Sequence, residues 1–219
     1  MIRAITFDVG GVIFSDDAFK RAIFRALQQL QPSISQVEFD QIYWQHLSNP
    51  DGSLRNKLTK HFLKSLDRKT ELMELTNKYW KFNTQDLYQD AKSVLQQLKR
   101  LNFKIGIIAN QPASVVDDLA RENLLAFIDA LAISAIEGVE KPNLKLFEVA
   151  IARLETLPQE IVHVGNRIDT DVIPAKTLGM KTVWVRRGEA NPNPSEADFK
   201  TPNLIVDELI PIPNLIKRL

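Results

Sequence analysis

The chain has no cysteine, which excludes a disulfide framework, a cysteine-built zinc site and a thiol nucleophile. The same absence accords with a cytoplasmic protein. Neither sign of charge dominates. The 28 Lys and Arg face 27 Asp and Glu for a formal net charge of +1, so no basic field invites nucleic acid or an acidic membrane surface. No uncharged run approaches the ~18–20 apolar residues that a membrane span needs, and Asp8 interrupts the first apolar segment before it reaches signal length; neither a span nor a leader is expected. Glycine is scarce too, with eight in 219 residues against the roughly 7% of an average chain. Seven stand at 10, 11, 106, 138, 165, 179 and 188, and only Gly52 falls between 15 and 88. Glycine serves where backbone takes positive φ or approaches a ligand closely, so its distribution already divides the chain in two.

What is present is ordinary for a folded domain: 44% hydrophobic and 25% charged residues, in a length ample for a buried core. Residues 2–7 (IRAITF) read as a short apolar strand running into Asp8 and Gly10-Gly11. From about 15 to 88 the period is helical. Phe19, Ile23, Ala26, Leu27 and Leu30 recur until Pro32; Ser35 with Glu38 makes a capping box for a helix through Val37, Ile42 and Trp44; Pro50-Asp51-Gly52 marks a turn. Leu54, Leu58, Phe62 and Leu66 continue the stripe, followed by Leu72, Leu75, Tyr79 and Trp80. Beyond 90, helices alternate with apolar strands at 104–109, 130–135, 161–165, 181–185 and 204–206. Continuous apolar strands between helices predict an α/β fold whose parallel sheet is covered on both faces. The expected organisation is a core of residues 1–14 and 90–219, with a helical insertion over 15–89.

In such sheets ligands bind beyond the carboxyl ends of the strands, which is where Asp8, Asn110 and Asn166 through Asp171 fall. A helical block leaving at that edge is expected to act as a lid. Lys141 precedes Pro142 and a helix, a position where a cation is disfavoured by roughly 0.3–1 kcal/mol, so it needs a partner or a purpose. Asp169 or Thr170 would serve as a helix cap and Asp171 suits a first turn, but an Asn and two acids together after Gly165 exceed what a cap requires. Oxygen ligands of this kind suit magnesium better than zinc. Arg186-Arg187 reads as an exposed edge pair in preference to a substrate contact, and His46, His61 and His163 read as no ligands at all. The insertion holds ten of the 17 aromatics, most of them needed for its own core.

FDVGGVI at 7–13, IIAN at 107–110, Lys141-Pro142 and VGNRIDTDVIPAKTLGM at 164–180 resemble, in order and spacing, the four motifs of the haloacid dehalogenase superfamily. The insertion resembles the helical cap of its phosphatase-rich subfamily, so the likeness runs along essentially the whole chain. It implies a Rossmann-like core and a magnesium-dependent phosphatase of a small soluble phosphorylated metabolite. Asp8 would be the nucleophile that forms an aspartyl-phosphate, and Lys141 would pair with both the nucleophile and the phosphate. Backbone N–H groups near Gly10, Gly11 and Asn110 would bind phosphate oxygens. The metal would be held by Asp8, the Gly10 carbonyl, Asn166 and Asp171.

Three positions depart from the family pattern. Gly10 stands where a second aspartate normally acts as general acid and base, Ala109 replaces a Ser or Thr, and Asn166 replaces an acid. A positioned general acid contributes typically ~10²–10⁴ in rate, so Gly10 should penalise alkoxide leaving groups most. Asp16 and Asp17 read as solvent-facing helix-start residues in preference to a substitute acid. The spacing of Asn166 and Asp169 also fits metal-independent 2-haloacid dehalogenases that use the same aspartate nucleophile, which makes halide release a competing reading. A third is a catalytically weak protein of this fold kept for binding.

Overall fold

Six strands, β1 (Ala4–Phe7), β2 (Lys104–Ala109), β3 (Ala130–Ile133), β4 (Ile161–Gly165), β5 (Lys181–Val185) and β6 (Leu204–Val206), form one sheet in the order β3-β2-β1-β4-β5-β6. Every pairing is parallel. The computed structural model describes residues 1–48 and 53–219, so the turn read at Pro50-Asp51-Gly52 lies outside the described residues. β1 to β5 are almost wholly buried, as both faces of a helix-covered parallel sheet demand. The helix Leu144–Leu154 puts Leu146, Phe147, Ala150 and Leu154 into a cluster with Ala4, Ile108, Ala130 and Ile161. With β1 at the centre, the strand order runs outward in two directions from the β1/β4 pair, the switch point where open α/β sheets place their ligands.

The chain divides into two units. Met1–Ser15, Phe82–Ala190 and Pro194–Leu219 form the first, and Asp16–Lys81 with Asn191–Asn193 the second. Residues 82–89, grouped on sequence with the insertion, belong to the sheet-bearing unit because their contacts lie there. The Phe82 N–H donates to Asp118 at 3.2 Å, its carbonyl accepts from Arg121 at 2.7 Å, and its ring stacks on Phe14 at 4.6 Å.

The second unit consists of the helices Asp17–Leu30, Gln36–Leu47, Leu54–Leu63 and Lys69–Tyr79. Ser35 caps Gln36–Leu47 by accepting from the Glu38 N–H at 3.1 Å, but Glu38 returns no bond, so the expected box is half made. The buried face of that helix is Phe39, Tyr43 and Leu47; Val37 and Trp44 are exposed. Three aromatic and aliphatic side chains at fourfold spacing outweigh the shifted stripe read from the sequence. Leu66 falls beyond its helix and is exposed, because Lys64 at φ 59° ends the turn first. In the first unit the apolar run 130–135 is a strand only to Ile133, with a short helix Ser134–Glu137 closing it. The helix expected from Pro112 starts at Val115. The segment 171–180 is helical only over Ile173–Thr177, after one wide turn at Ile168–Val172.

Candidate active site

β1 ends at Phe7, and the Asp8 N–H donates to the Val164 carbonyl at 2.9 Å, which carries the β1/β4 register one residue past the strand. Asp8 Oδ1 accepts from the Val9 N–H at 2.8 Å and from Lys141 Nζ at 2.9 Å, while Oδ2 makes no hydrogen bond with the described residues. After Asp8 the chain folds into a tight turn. The Val9 carbonyl accepts from the N–H groups of Val12, Ile13 and Phe14, and Gly11 sits at φ 67°, where a side chain would strain the backbone. The Gly11 N–H is spent on the Phe14 carbonyl at 2.7 Å; Gly10 is buried, and its N–H and C=O make no hydrogen bond with the described residues.

Lys141 is buried, which a lysine tolerates only when its charge is matched. Its Nζ lies 2.9 Å from Asp8 Oδ1 and 2.6 Å from Asp171 Oδ1. The helix that follows begins at Leu144, with Asn143 as its cap, and the two carboxylates are the partners that a lysine at this position requires. Asn110, at the end of β2, grips the Lys141 backbone from both sides: Nδ2 donates to its carbonyl at 3.0 Å and Oδ1 accepts from its N–H at 2.7 Å. Its side chain is therefore spent on placing the lysine.

Asp171 reaches the same point by a local irregularity. The N–H groups of Asp171 and Val172 both donate to the Arg167 carbonyl, opening one wide turn that swings the carboxylate back onto β4. There Oδ1 meets Lys141 and, at 3.4 Å, His163 Nε2; Oδ2 accepts from the Arg167 N–H at 3.0 Å. The carboxylate lies directly on Gly165, where a β-carbon would stand 2.3 Å from Asp171 Cβ. His163, paired in register with Thr6, shares a hydrogen bond with its hydroxyl at 2.9 Å. From the sequence His163 reads only as no ligand; the signal for its contact with Asp171 is a polar residue within an apolar strand, opposite a threonine in parallel register.

Burial is the largest influence on Asp8 and pushes its carboxyl up, Lys141 opposes it, and the charge of Asp171 adds to it; the outcome is a rise from 3.8 to about 6. Burial also pushes on Asp171, but Lys141 and His163 outweigh it and hold that carboxyl below the ordinary range. For Lys141 burial is likewise the largest influence, and the two carboxylates overcome it to raise the ammonium. Burial lowers His163. Two carboxylates and one lysine leave uncompensated negative charge at the end of the central strand.

A family model of haloacid dehalogenase-like hydrolases matches residues 2–179. The chain belongs to this family. It is 36% identical over 121 residues to a glyceraldehyde 3-phosphate phosphatase of Methanopyrus kandleri, covering 55% of this chain and 52% of that one. It is 24% identical over 216 residues to a ribulose-1,5-bisphosphate 5-phosphatase of Halopiger xanaduensis, covering 90% of each. The first of these matches thus spans about half the length of the relative. Among solved structures, a predicted phosphatase from Clostridium acetobutylicum superposes over the full length of both chains with TM-score 0.79 at 17% identity, a likeness of fold.

The remaining candidates from the sequence divide into those that are buried and those turned to solvent. Asn166 is buried at the end of β4, where its carbonyl accepts from Trp184 Nε1 at 2.9 Å and its Nδ2 donates to the Arg187 carbonyl at 3.2 Å. Asp169 is paired bidentately with Arg167 and its side chain is 48% exposed, so the acid at the dehalogenase spacing is not brought to Lys141. Arg186 is exposed as expected and pairs with Asp207, but Arg187 is not. The Arg187 side chain is 14% exposed, stacked 3.8 Å above Tyr88 and forked onto Asp90, because an ordered acid and a ring give its guanidinium a better environment than the sheet edge.

Among the described residues no three His, Cys, Asp or Glu side chains are grouped to hold a metal ion, and none of the helices is long and apolar enough to cross a membrane. The candidate oxygen donors are instead mixed: Asp8 Oδ2 and the Gly10 carbonyl, which make no hydrogen bond with the described residues, the Asn166 amide, and the Asp171 carboxylate. Such a set, around excess negative charge, fits a hard divalent cation.

Proposed function

We propose that this chain is a magnesium-dependent phosphohydrolase of a small phosphorylated metabolite, with Asp8 as nucleophile. The observation that carries the proposal is the Lys141 ammonium held between the carboxylates of Asp8 and Asp171 at the switch point of the sheet. Asp8 attacks phosphorus in line and the leaving oxygen departs with the bonding pair. Water then hydrolyses the aspartyl-phosphate, returning the carboxylate and releasing phosphate. Lys141 keeps Asp8 oriented and balances charge on the transferring group. Asp171 holds the lysine from behind, fixed in turn by His163, the Arg167 N–H and the bare surface of Gly165. Magnesium, when bound, neutralises phosphoryl charge; Asp8, the Gly10 carbonyl, Asn166 and Asp171 would hold it. The free Gly10 N–H and the backbone N–H of Asn110 are the proposed phosphate donors, whereas the Gly11 N–H already serves the turn. The proposal sets the reaction in the cytoplasm, with which the cysteine-free composition accords.

The relatives named for glyceraldehyde 3-phosphate and ribulose-1,5-bisphosphate support a substrate of a few carbons carrying a terminal phosphate. The test is phosphate release from a panel of such compounds, with magnesium and with chelator, for the wild type and Asp8→Asn. Magnesium-dependent turnover lost in the variant is the expected result. Halide release from 2-haloacids without metal would replace this reading with the dehalogenase one.

A further inference from the structure

The turn after Asp8 is closed from inside by the Val9 carbonyl, and it is also gripped from outside. Arg187, at the end of β5, donates from Nε to the Gly11 carbonyl at 3.4 Å and from Nη2 to the Val12 carbonyl. The Val12 and Ile13 N–H groups, at the opposite ends of the same two peptide planes, donate to Val9 at 3.3 and 2.8 Å. Two consecutive peptide units are thus pinned at both ends. The guanidinium is itself immobilised: Nη1 and Nη2 reach the two oxygens of Asp90 at 2.9 and 3.2 Å, and its face lies on Tyr88. Asp90 is anchored further by the Leu209 N–H at 2.7 Å. The backbone carbonyl of the same Arg187 takes the Asn166 Nδ2, which orients that amide.

We infer that Arg187 is a positioning residue that couples the turn following Asp8 to the amide of Asn166, so that the two halves of the proposed metal and phosphate site are set as one piece. The inference rests on the proposed phosphohydrolase reading. Its physical basis is the guanidinium: a planar fork with five donors spans Asp90 on one side and two carbonyls on the other, which a lysine ammonium on a flexible stem does not do. The consequence runs inward. Freed peptide planes at 11–13 loosen the hold on the Val9 carbonyl, and the Val9 N–H is a hydrogen-bond donor to Asp8 Oδ1.

Arg187→Lys retains the charge and removes the fork. In the metal-free variant, hydrogen exchange of the Val12 and Ile13 amides should accelerate by about tenfold or more, the scale of one or two lost hydrogen bonds, while amides of β1 and β2 stay protected as in the wild type. Calorimetric titration with magnesium chloride should show about tenfold weaker binding, and phosphate release should need correspondingly more magnesium with kcat at saturation changed less than the magnesium requirement. Asp90→Asn, which keeps Arg187 but loosens its seat, should move the same readouts in the same direction by less, and it serves if Arg187→Lys folds poorly. Unchanged Val12 and Ile13 exchange in both variants overturns the inference. A general rise in exchange across the sheet, with no preference for 12–13, also overturns it in favour of a plain structural role. A wild type that neither binds magnesium nor releases phosphate defeats the functional reading instead, which the metal-free exchange measurement does not depend on.

Discussion

The Asp171 carboxylate packs against the α-carbon of Gly165 so closely that a β-carbon there would lie 2.3 Å from Asp171 Cβ and 2.7 Å from its Oδ2. Glycine at 165 is therefore required by its neighbour across the wide turn, and the two are placed together by the hydrogen bond between the Arg167 N–H and Asp171 Oδ2.

Gly165→Ala should push Asp171 off Lys141. Overpacking of this kind costs about 1–3 kcal/mol. Misplacing the lysine that is proposed to balance charge on the transferring group loses rate on the order of 100-fold. Thermal unfolding with phosphate-release kinetics checks both; a variant with wild-type stability and rate would show that Asp171 does not need its present position.

Asp8→Asn should abolish turnover yet stabilise the metal-free protein at alkaline pH. The folded carboxyl titrates near 6 against an unfolded 3.8, so the protonated form is the one the fold prefers. The wild-type benefit of that protonated form is complete below about pH 3.8 and is lost as pH rises through 6. Above pH 7 the neutral amide should gain up to about 3 kcal/mol over the ionised wild type, the free-energy equivalent of that shift, and the difference should vanish below pH 4. Asp171→Asn carries the opposite sign, because that carboxyl is held low and its contribution disappears on acidification. Urea unfolding in chelator across pH 2–8 tests the pair; a destabilised Asp8→Asn at pH 8 would contradict the charge balance among Asp8, Lys141 and Asp171.

Gly10→Asp should accelerate phosphates with poor leaving groups more than those with good ones, by up to ~10² for an alkyl ester, because a positioned carboxyl can protonate the departing oxygen. Unlike Gly11, Gly10 is not held at positive φ, so the backbone admits a side chain. Comparing kcat/KM for an alkyl phosphate and an acyl phosphate in both proteins gives the ratio directly. Equal acceleration of the two would mean that leaving-group protonation is not what this position lacks.

The six strands were legible because each is a short apolar run bounded by helical periodicity, a property of neighbouring residues. Asp8, Lys141, Asn166 and Asp171 stand out in the sequence as candidates because their motifs lie at recognisable intervals along the chain. The face buried by Gln36–Leu47 was not legible, since stripes through Phe39 or through Trp44 satisfy the same period and only packing selects one. Nor was the fate of Asp169 and Asp171, two acids two positions apart, which a single wide turn sends to solvent and to the interior respectively.

By itself, the sequence determined the alternation of strands and helices, the glycine-bearing turn behind β1 and the roster of charged residues at the strand ends, because these follow from local periodicity and residue type. The tertiary structure alone decided which charges meet. Asn110 grips Lys141 across 31 positions, Thr6 meets His163 across 157 and Arg187 holds Gly11 across 176. Such pairings depend on strand order and register, and hydrogen bonds acting over about 3 Å are invisible to any pattern read along the chain.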